Sequence, residues 1–282
     1  MSKRRPYPYG PGTRKQGLSS KDWAGIALIV LALATVGGVG YWYYTASKAH
    51  VAYDKITYCP EAGAYARTVL LVDLTDEISF IQEQKLRNFI HSLADPKNDD
   101  VVPQHTMLSV YLLSEGDVNA IPTPVIEVCN PGSGEGISEF TGNPRLANKR
   151  FRERFAVPID AAIGQVVHTE AARTSPIIES IRGIAVSTFV EPPAPGYEHR
   201  LIVISDMLQN TPNASHYRGG QTLDEGTLSN LKSDLGNVDR VDIKVIARKD
   251  SERLQGKALV EYWREYFRAS GSNLTTAERW GE

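Results

Sequence analysis

The chain carries no charged residue between positions 23 and 47. Within this stretch, residues 23–44 are strongly hydrophobic, with Trp23 at one end and aromatic residues at positions 41–44 at the other. A helix of this length reaches roughly 33 Å, which is enough to cross the core of a bilayer. Aromatic residues also collect at both interfaces of membrane spans. The pattern therefore predicts a transmembrane helix over residues 23–44; a cleaved signal peptide and a buried core helix are the alternatives.

Beyond this segment, short apolar runs alternate with stripes in which apolar residues recur every three or four positions. The runs predict strands over residues 68–74, 107–114, 123–129, 200–206 and 241–247, and Pro124 places the third at an edge. The stripes predict helices around Leu86, Phe89, Ile90 and Leu93, over 145–169 with a break near Pro158, over 176–189, over 222–234, and around Leu259, Tyr262, Trp263, Tyr266 and Phe267. This alternation is typical of an α/β domain. We expect a Rossmann-like, doubly wound, mostly parallel sheet with one antiparallel edge strand, flanked by helices and preceded by the transmembrane helix.

The same patterns predict the domain boundaries. Residues 1–22 are basic and lack periodicity, as expected of a disordered tail. A stalk is expected over residues 45–65, the α/β domain over residues 66–270 and a C-terminal tail over residues 271–282.

Charge predicts how the chain is oriented. The first 22 residues hold six lysines and arginines against one aspartate, although the whole chain has a net charge of -2. Because basic flanks stay on the cytoplasmic side of a membrane, we expect a cytoplasmic N-terminus and a periplasmic or extracellular domain. The remainder of the chain is acidic, so no nucleic-acid partner is expected.

Cys59 and Cys129 are the two cysteines of the chain. An even pair in a domain that faces an oxidising compartment predicts a disulfide. Two unpaired buried thiols are the alternative if the orientation is reversed.

Polar residues stand where several predicted strands and helices begin or end. Asp73, Thr75 and Glu77 follow the first predicted strand, and Asp206 ends the strand over residues 200–206. In open α/β sheets, ligands collect at the carboxyl ends of the strands. Carboxylates with hydroxyls between them suit Mg²⁺, which prefers oxygen ligands and commonly keeps water molecules.

The order of these groups resembles the von Willebrand factor A (vWA, integrin I-like) domain family over roughly residues 66–268. The metal-ion-dependent adhesion site of that family uses a D-x-S-x-S motif, a threonine from a later loop and an aspartate at the end of a central strand. The resemblance implies a Mg²⁺ or Mn²⁺ site formed by Asp73, Thr75, Glu77, Thr174 and Asp206. Glu77 departs from the serine of the motif. It would tighten cation binding and reduce the attraction of the ion for a partner's carboxylate.

Each of these polar groups also has a purely structural interpretation. Ser79 and Gln82 fit a helix capping box. Ser175, which precedes Pro176, suits a helix N-cap better than a ligand position, so Thr174 is the expected loop hydroxyl. Asp206 could simply end its strand.

These observations favour a binding module over an enzyme. We expect the domain to recruit a protein partner within a membrane-associated assembly, with residues 23–44 in the lipid bilayer. A membrane-tethered metal-dependent hydrolase is an alternative, although it would want a general base beside the metal and no histidine is placed there by sequence. A structural subunit without metal is the third possibility.

Overall fold

The computed structural model describes residues 19–48, 51–55, 57–73, 75–113, 122–135, 137, 142–167, 174–218 and 232–281. They form two compact units, residues 1–51 and residues 52–282. The expected disordered tail therefore lies almost entirely outside the described residues, as does the helix expected over residues 222–234.

In the first unit, the described residues 20–48 form helix α1 (Ser20–Lys48). Residues Ser20–Tyr44 of this helix have a mean hydropathy of 2.1 and are long and apolar enough to cross a membrane. Helix α1 continues to Lys48, into the stretch that was expected to be a stalk.

The second unit is built on a six-stranded sheet in the order β3-β2-β1-β4-β5-β6. The strands are β1 (Ala66–Asp73), β2 (Thr106–Leu113), β3 (Ile126–Cys129), β4 (Arg200–Ser205), β5 (Arg240–Ile246) and β6 (Leu274–Trp280). All neighbouring pairs are parallel except β2 and β3, so β3 is an antiparallel edge strand. This order is that of doubly wound Rossmann folds, and the predicted fold class is confirmed.

The helices cover both faces of the sheet. They are α2 (Phe80–Ser92), α3 (Pro144–Phe151), α4 (Val157–Val167), α5 (Ile177–Thr188) and α6 (Lys257–Ala269). Side chains of β1 alternate between two cores: Val69 and Leu71 pack with α5 and α6, whereas Leu70 and Val72 pack with α2 and α4. Burial on both faces explains why this strand is a continuous apolar run.

The break expected near Pro158 takes the form of a π-helical turn, Arg152–Ala156, between α3 and α4. The N–H of Val157 donates to the carbonyl of Arg152, five residues earlier. Proline has no N–H to continue the α-helical ladder, and a π-turn accommodates that gap.

Two segments differ from their expected organisation. Residues 271–282, expected to be a tail, contain β6, which pairs with β5 along most of its length. Within the expected stalk, the second unit begins at Ala52, and the N–H of Tyr65 donates to the carbonyl of His105 at 2.9 Å. Backbone pairing in both segments supplies order that their polar composition does not indicate.

The predicted disulfide between Cys59 and Cys129 is present, with Cα atoms 5.1 Å apart. Cys129 ends β3 and pairs with Met107, near the start of β2. The bond therefore lies at the amino edge of the parallel strands, and it ties residues 52–65, the leading segment, to edge strand β3.

Candidate functional site

The carboxyl ends of the two central strands bring distant acidic and hydroxyl groups together. β1 and β4 are parallel neighbours, with Val72 opposite Ile204. The next residue in each strand, Asp73 and Ser205, is therefore also at this edge, and Asp206 follows directly. We call this edge of the sheet the carboxyl edge.

Asp73 is the centre of the hydrogen-bond network at the carboxyl edge, and its side chain is buried. One carboxylate oxygen, Oδ1, accepts from the backbone N–H of Thr75 at 3.0 Å. The other, Oδ2, accepts from the hydroxyl of Ser175 at 2.9 Å and from that of Ser205 at 2.7 Å. Segments more than a hundred residues apart in sequence thus converge on one carboxylate.

The loop hydroxyl on Asp73 comes from Ser175, the neighbour of the expected Thr174. Backbone hydrogen bonds fix Ser175 to Asn210 in the loop after β4, at 3.0 Å and 2.9 Å. The Thr174 side chain is half-buried, and its hydroxyl makes no hydrogen bond with another described residue. The metal role predicted for Thr174 stays a prediction, but the contact with the acid belongs to Ser175.

The expectation that Ser175 caps α5 is wrong. The N-cap position is Pro176, and no side chain caps the helix from that position. The side-chain oxygen of Gln209 instead accepts from the N–H of Ile178 at 2.9 Å. Because a side chain from the loop after β4 takes over this capping task, the Ser175 hydroxyl is available for Asp73.

Asp206 is buried beside Asp73 with little compensation for its charge. Its Oδ1 accepts from the N–H of Leu208 at 2.9 Å, and its Oδ2 lies 3.7 Å from Nε of Arg248. Burial, and then the negative charge of Asp73, raises the pKa of Asp206 to about 7. The ionised form of Asp206 is therefore disfavoured at the carboxyl edge, a condition that a bound cation relieves.

Thr75 and Glu77 occupy different environments. Thr75 is buried, and its hydroxyl makes no hydrogen bond within the described part of the chain. Glu77 is exposed, and its backbone carbonyl accepts a hydrogen bond from Nη1 of Arg248. Asp76 is also exposed, and its carboxylate lies 3.6 Å from Nη2 of Arg248.

The capping-box interpretation of Ser79 is confirmed. Its hydroxyl accepts from the N–H of Gln82, and the Gln82 side chain accepts from the N–H of Ser79. The Ser79 side chain therefore caps the start of α2. It does not take the third position of the D-x-S-x-S motif.

A polar cavity of about 580 Å³ opens beside Arg248, the residue whose guanidinium faces Asp206. Its lining includes the acidic residues Asp76 and Glu77, the basic residues Arg248 and Lys249, and Tyr217. Charged groups of both signs therefore face this space.

The oxygen donors of the carboxyl edge fit a small hard cation. The hydroxyls of Ser175 and Ser205 donate their hydrogens to Asp73. The Ser205 oxygen also accepts from the N–H of Met207 at 2.8 Å, so the Ser175 oxygen is the one whose lone pairs are more available for an ion. No group of three or more acidic, histidine or cysteine side chains that could hold a metal occurs among the described residues. A cation here would therefore depend on hydroxyl oxygens as well as on Asp73 and Asp206, as Mg²⁺ sites permit.

Several residues of the carboxyl edge escaped the sequence interpretation. Ser205 precedes Asp206 and is the last residue of its strand, and Arg248 stands two residues after the end of β5. Both lie just at or beyond the end of a parallel strand, which is the signal that could have identified them. Gln209 and Gln255 had no comparable signal, because their partners are distant in sequence.

No family model matches the chain, and no curated protein matches it. Among solved structures, the conserved hypothetical protein BatB from Bacteroides thetaiotaomicron is 9% identical with a TM-score of 0.36, covering 77% of this chain and 91% of that one. An aerotolerance-related membrane protein from Bacteroides fragilis is 10% identical with a TM-score of 0.33, covering 77% of this chain and 92% of that one. The human COPII-coat protein Sec24c is 9% identical with a TM-score of 0.40, covering 82% of this chain and 31% of that one. At TM-scores below 0.5, these similarities carry no inference about activity, metal or partner.

Proposed function

We propose that this chain is a membrane-anchored, non-catalytic vWA-like binding module that recruits a protein partner through the carboxyl edge of its sheet. The observation that carries the proposal is the convergence of Ser175 and Ser205 on the buried carboxylate of Asp73, beside Asp206. Loop residues at this edge of an α/β sheet are where ligands bind. The vWA resemblance, with an acid, a loop hydroxyl and a strand-end acid in this order, supports the same interpretation.

In this proposal, a divalent cation such as Mg²⁺ or Mn²⁺ is held by Asp73, Thr75, Ser175 and Asp206. The ion would offer a positive charge that a carboxylate of the partner can approach. Asp73 orients the hydroxyls of Ser175 and Ser205 by accepting their hydrogens, and the exposed Glu77 would tune the strength of cation binding.

Exposed apolar side chains next to the site suit a protein partner. Phe80 is 73% exposed and Ile81 is 50% exposed, at the first turn of α2, directly after the capping residue Ser79. Tyr217, which lines the adjoining cavity, is 49% exposed. Exposed aromatic residues beside a polar centre are frequent anchors of protein interfaces.

The length and hydropathy of α1 support membrane anchoring. The basic residues before α1 favour a cytoplasmic N-terminus and an exported second unit. An exported, anchored binding module of this kind would serve in a multiprotein envelope assembly.

Site-specific photo-crosslinking in native cells tests this function. A photoreactive phenylalanine analogue at Phe80 should cross-link to a discrete protein, and the product should disappear on chelation of divalent cations or in Asp206→Asn. The same analogue at Val190, which is 65% exposed after the end of α5, is the matched control at the opposite edge. An equal product at Val190, or none at Phe80, would reject the proposed binding edge.

A further inference from the structure

The guanidinium of Arg248 lies within ion-pair distance of Asp206, which with Asp73 forms the acid pair of the carboxyl edge. Its Nε lies 3.7 Å from Oδ2 of Asp206, and its Nη2 lies 3.6 Å from Oδ2 of Asp76. Its Nη1 donates to the backbone carbonyl of Glu77. One side chain thus contacts the loops that follow β1 and β4, which carry Asp73, Thr75 and Asp206 of the proposed cation site.

Arg248 is held in position by its backbone and by the hydrogen bond from Nη1 to Glu77, whereas its guanidinium contacts the nearby carboxylates only loosely. The side chain of Gln255 accepts from the N–H of Arg248 at 2.7 Å and donates to the carbonyl of Asp206 at 3.0 Å. By contrast, Nε of Arg248 is buried and has no hydrogen-bond partner among the described residues. Both of its ion-pair distances exceed the 2.7–3.2 Å of an N–H···O hydrogen bond.

This combination differs from that of an ordinary structural arginine. A buried guanidinium that stabilises a fold usually forms short hydrogen bonds with carboxylates. Arg200 does so elsewhere in this unit, with Nε 2.6 Å from Asp242 and Nη2 2.7 Å from Asp100. Arg248 provides charge to Asp206 without that bonding. Space for another position of its side chain is present, because Arg248 also lines the cavity of about 580 Å³.

We propose that Arg248 is the resident cation of this site: it supplies the positive charge beside Asp206 whenever no divalent ion is bound, and the two exclude one another. The proposal rests on the proposed function in so far as the acid pair binds a divalent cation. A guanidinium and a divalent ion at the same buried carboxylate repel strongly. Ion binding therefore moves Arg248 into the cavity, and Arg248 sets the ion concentration at which the site fills.

Mn²⁺ binding to the full chain in lipid nanodiscs, followed by electron paramagnetic resonance of the unbound ion, tests the exclusion. Arg248→Met keeps the aliphatic stem and removes the charge, so its affinity should exceed that of the wild type by at least about tenfold. Arg253→Met removes an exposed charge five residues away and should change the affinity by less than about twofold. Equal affinities for Arg248→Met and the wild type would overturn the inference while leaving the cation site intact.

A double-mutant cycle in the presence of a chelator tests the resident charge separately. Arg248→Met should lower the thermal midpoint in the wild-type background and lower it much less in the Asp206→Asn background. Additive effects would overturn the inference, whatever the Mn²⁺ result. If no variant binds Mn²⁺ but the two residues are coupled, the cation part of the proposed function fails, and Arg248 stands as the permanent cation of the site.

Discussion

At the scale of single residues, the choice between two neighbouring hydroxyls is the sharpest question in the proposed cation site. Ser175→Ala removes the hydroxyl that donates to Asp73, and we expect it to weaken Mn²⁺ binding by about 10- to 100-fold. Thr174→Ala removes an adjacent hydroxyl without a described hydrogen bond and should change the affinity by less than about twofold. Titration of both variants with Mn²⁺ measures this. The opposite ranking would return the ligand role to Thr174.

A second residue-scale prediction concerns Asp242, which is buried at the other edge of the sheet. Burial alone would raise the pKa of this carboxyl, but hydrogen bonds from Thr276 and Arg200 outweigh burial, and the net pKa is lowered. A lowered pKa means that the stabilisation is present above the carboxyl pKa of the unfolded chain and is lost as the pH falls through the lower, folded value. Asp242 therefore stabilises the fold at neutral pH and ceases to do so in acid.

Asp242→Asn should lower the unfolding free energy by about 3 kcal/mol at pH 7, since it leaves Arg240 without its carboxylate and Arg200 with Asp100 alone. The difference from the wild type should shrink as the pH falls below about 4, the carboxyl pKa of the unfolded chain, and should be smallest below the lower pKa of the folded state, where the wild-type carboxyl is also neutral. Urea unfolding of the chain in detergent at several pH values measures both. Glu198→Gln, at an exposed position nearby, should stay within about 0.5 kcal/mol. A pH-independent difference would contradict the assigned cause.

At the scale of elements, helix α6 supports the carboxyl edge without touching the proposed ion. The indole N–H of Trp263 donates to the carbonyl of Met207 at 2.8 Å. Met207 has a φ of 62°, in the left-handed region that non-glycine residues rarely adopt. This bond therefore holds a strained residue of the loop that carries Asp206.

Trp263→Phe should lower the unfolding free energy by about 1–3 kcal/mol, because a buried carbonyl loses its partner, and it should also weaken Mn²⁺ binding. Tyr266→Phe is the matched control on the same helix: it removes a buried hydroxyl that lies 2.6 Å from that of Ser233. Both variants should be less stable, but only the first should lose cation affinity. If both change the affinity equally, α6 acts on stability alone.

The elements that local patterns predicted are those that local physics determines. The stripe of α2 and its capping box at Ser79 depend on neighbours within one or two turns, and both were predicted correctly. Strand β6 was not predicted, because five consecutive residues of its length are exposed and only pairing with β5 orders it. The contact of Ser175 with Asp73 depends on the backbone bridge between Ser175 and Asn210. The contact of Arg248 with Asp206 depends on the strand order, in which β4 and β5 are neighbours. A sequence pattern contains neither the bridge nor the strand order.

At the scale of the whole molecule, the disulfide and the proposed site occupy opposite edges of one sheet. Cys129 pairs with Met107, near the start of β2, whereas Asp73 pairs with Leu113, at the end of β2. The cross-link joins cysteines separated by 70 residues in sequence. It stabilises mainly by restricting the unfolded chain, so its effect should not depend on the carboxyl edge.

Replacing both Cys59 and Cys129 by serine should lower the unfolding free energy by about 4 kcal/mol, the loop-closure value for a separation of this size. Mn²⁺ affinity should stay within about twofold of the wild type, because the carboxyl-edge contacts are untouched. A large loss of affinity would mean that the two edges are coupled.

The wild-type pair of cysteines also reports the proposed orientation, since disulfides persist in oxidising compartments and are rare in the cytosol. When thiols are trapped in intact cells before lysis, the wild-type cysteines should resist alkylation until a reductant is added. Immediate alkylation would place the second unit on the cytoplasmic side and would contradict the orientation that the basic N-terminal residues favour.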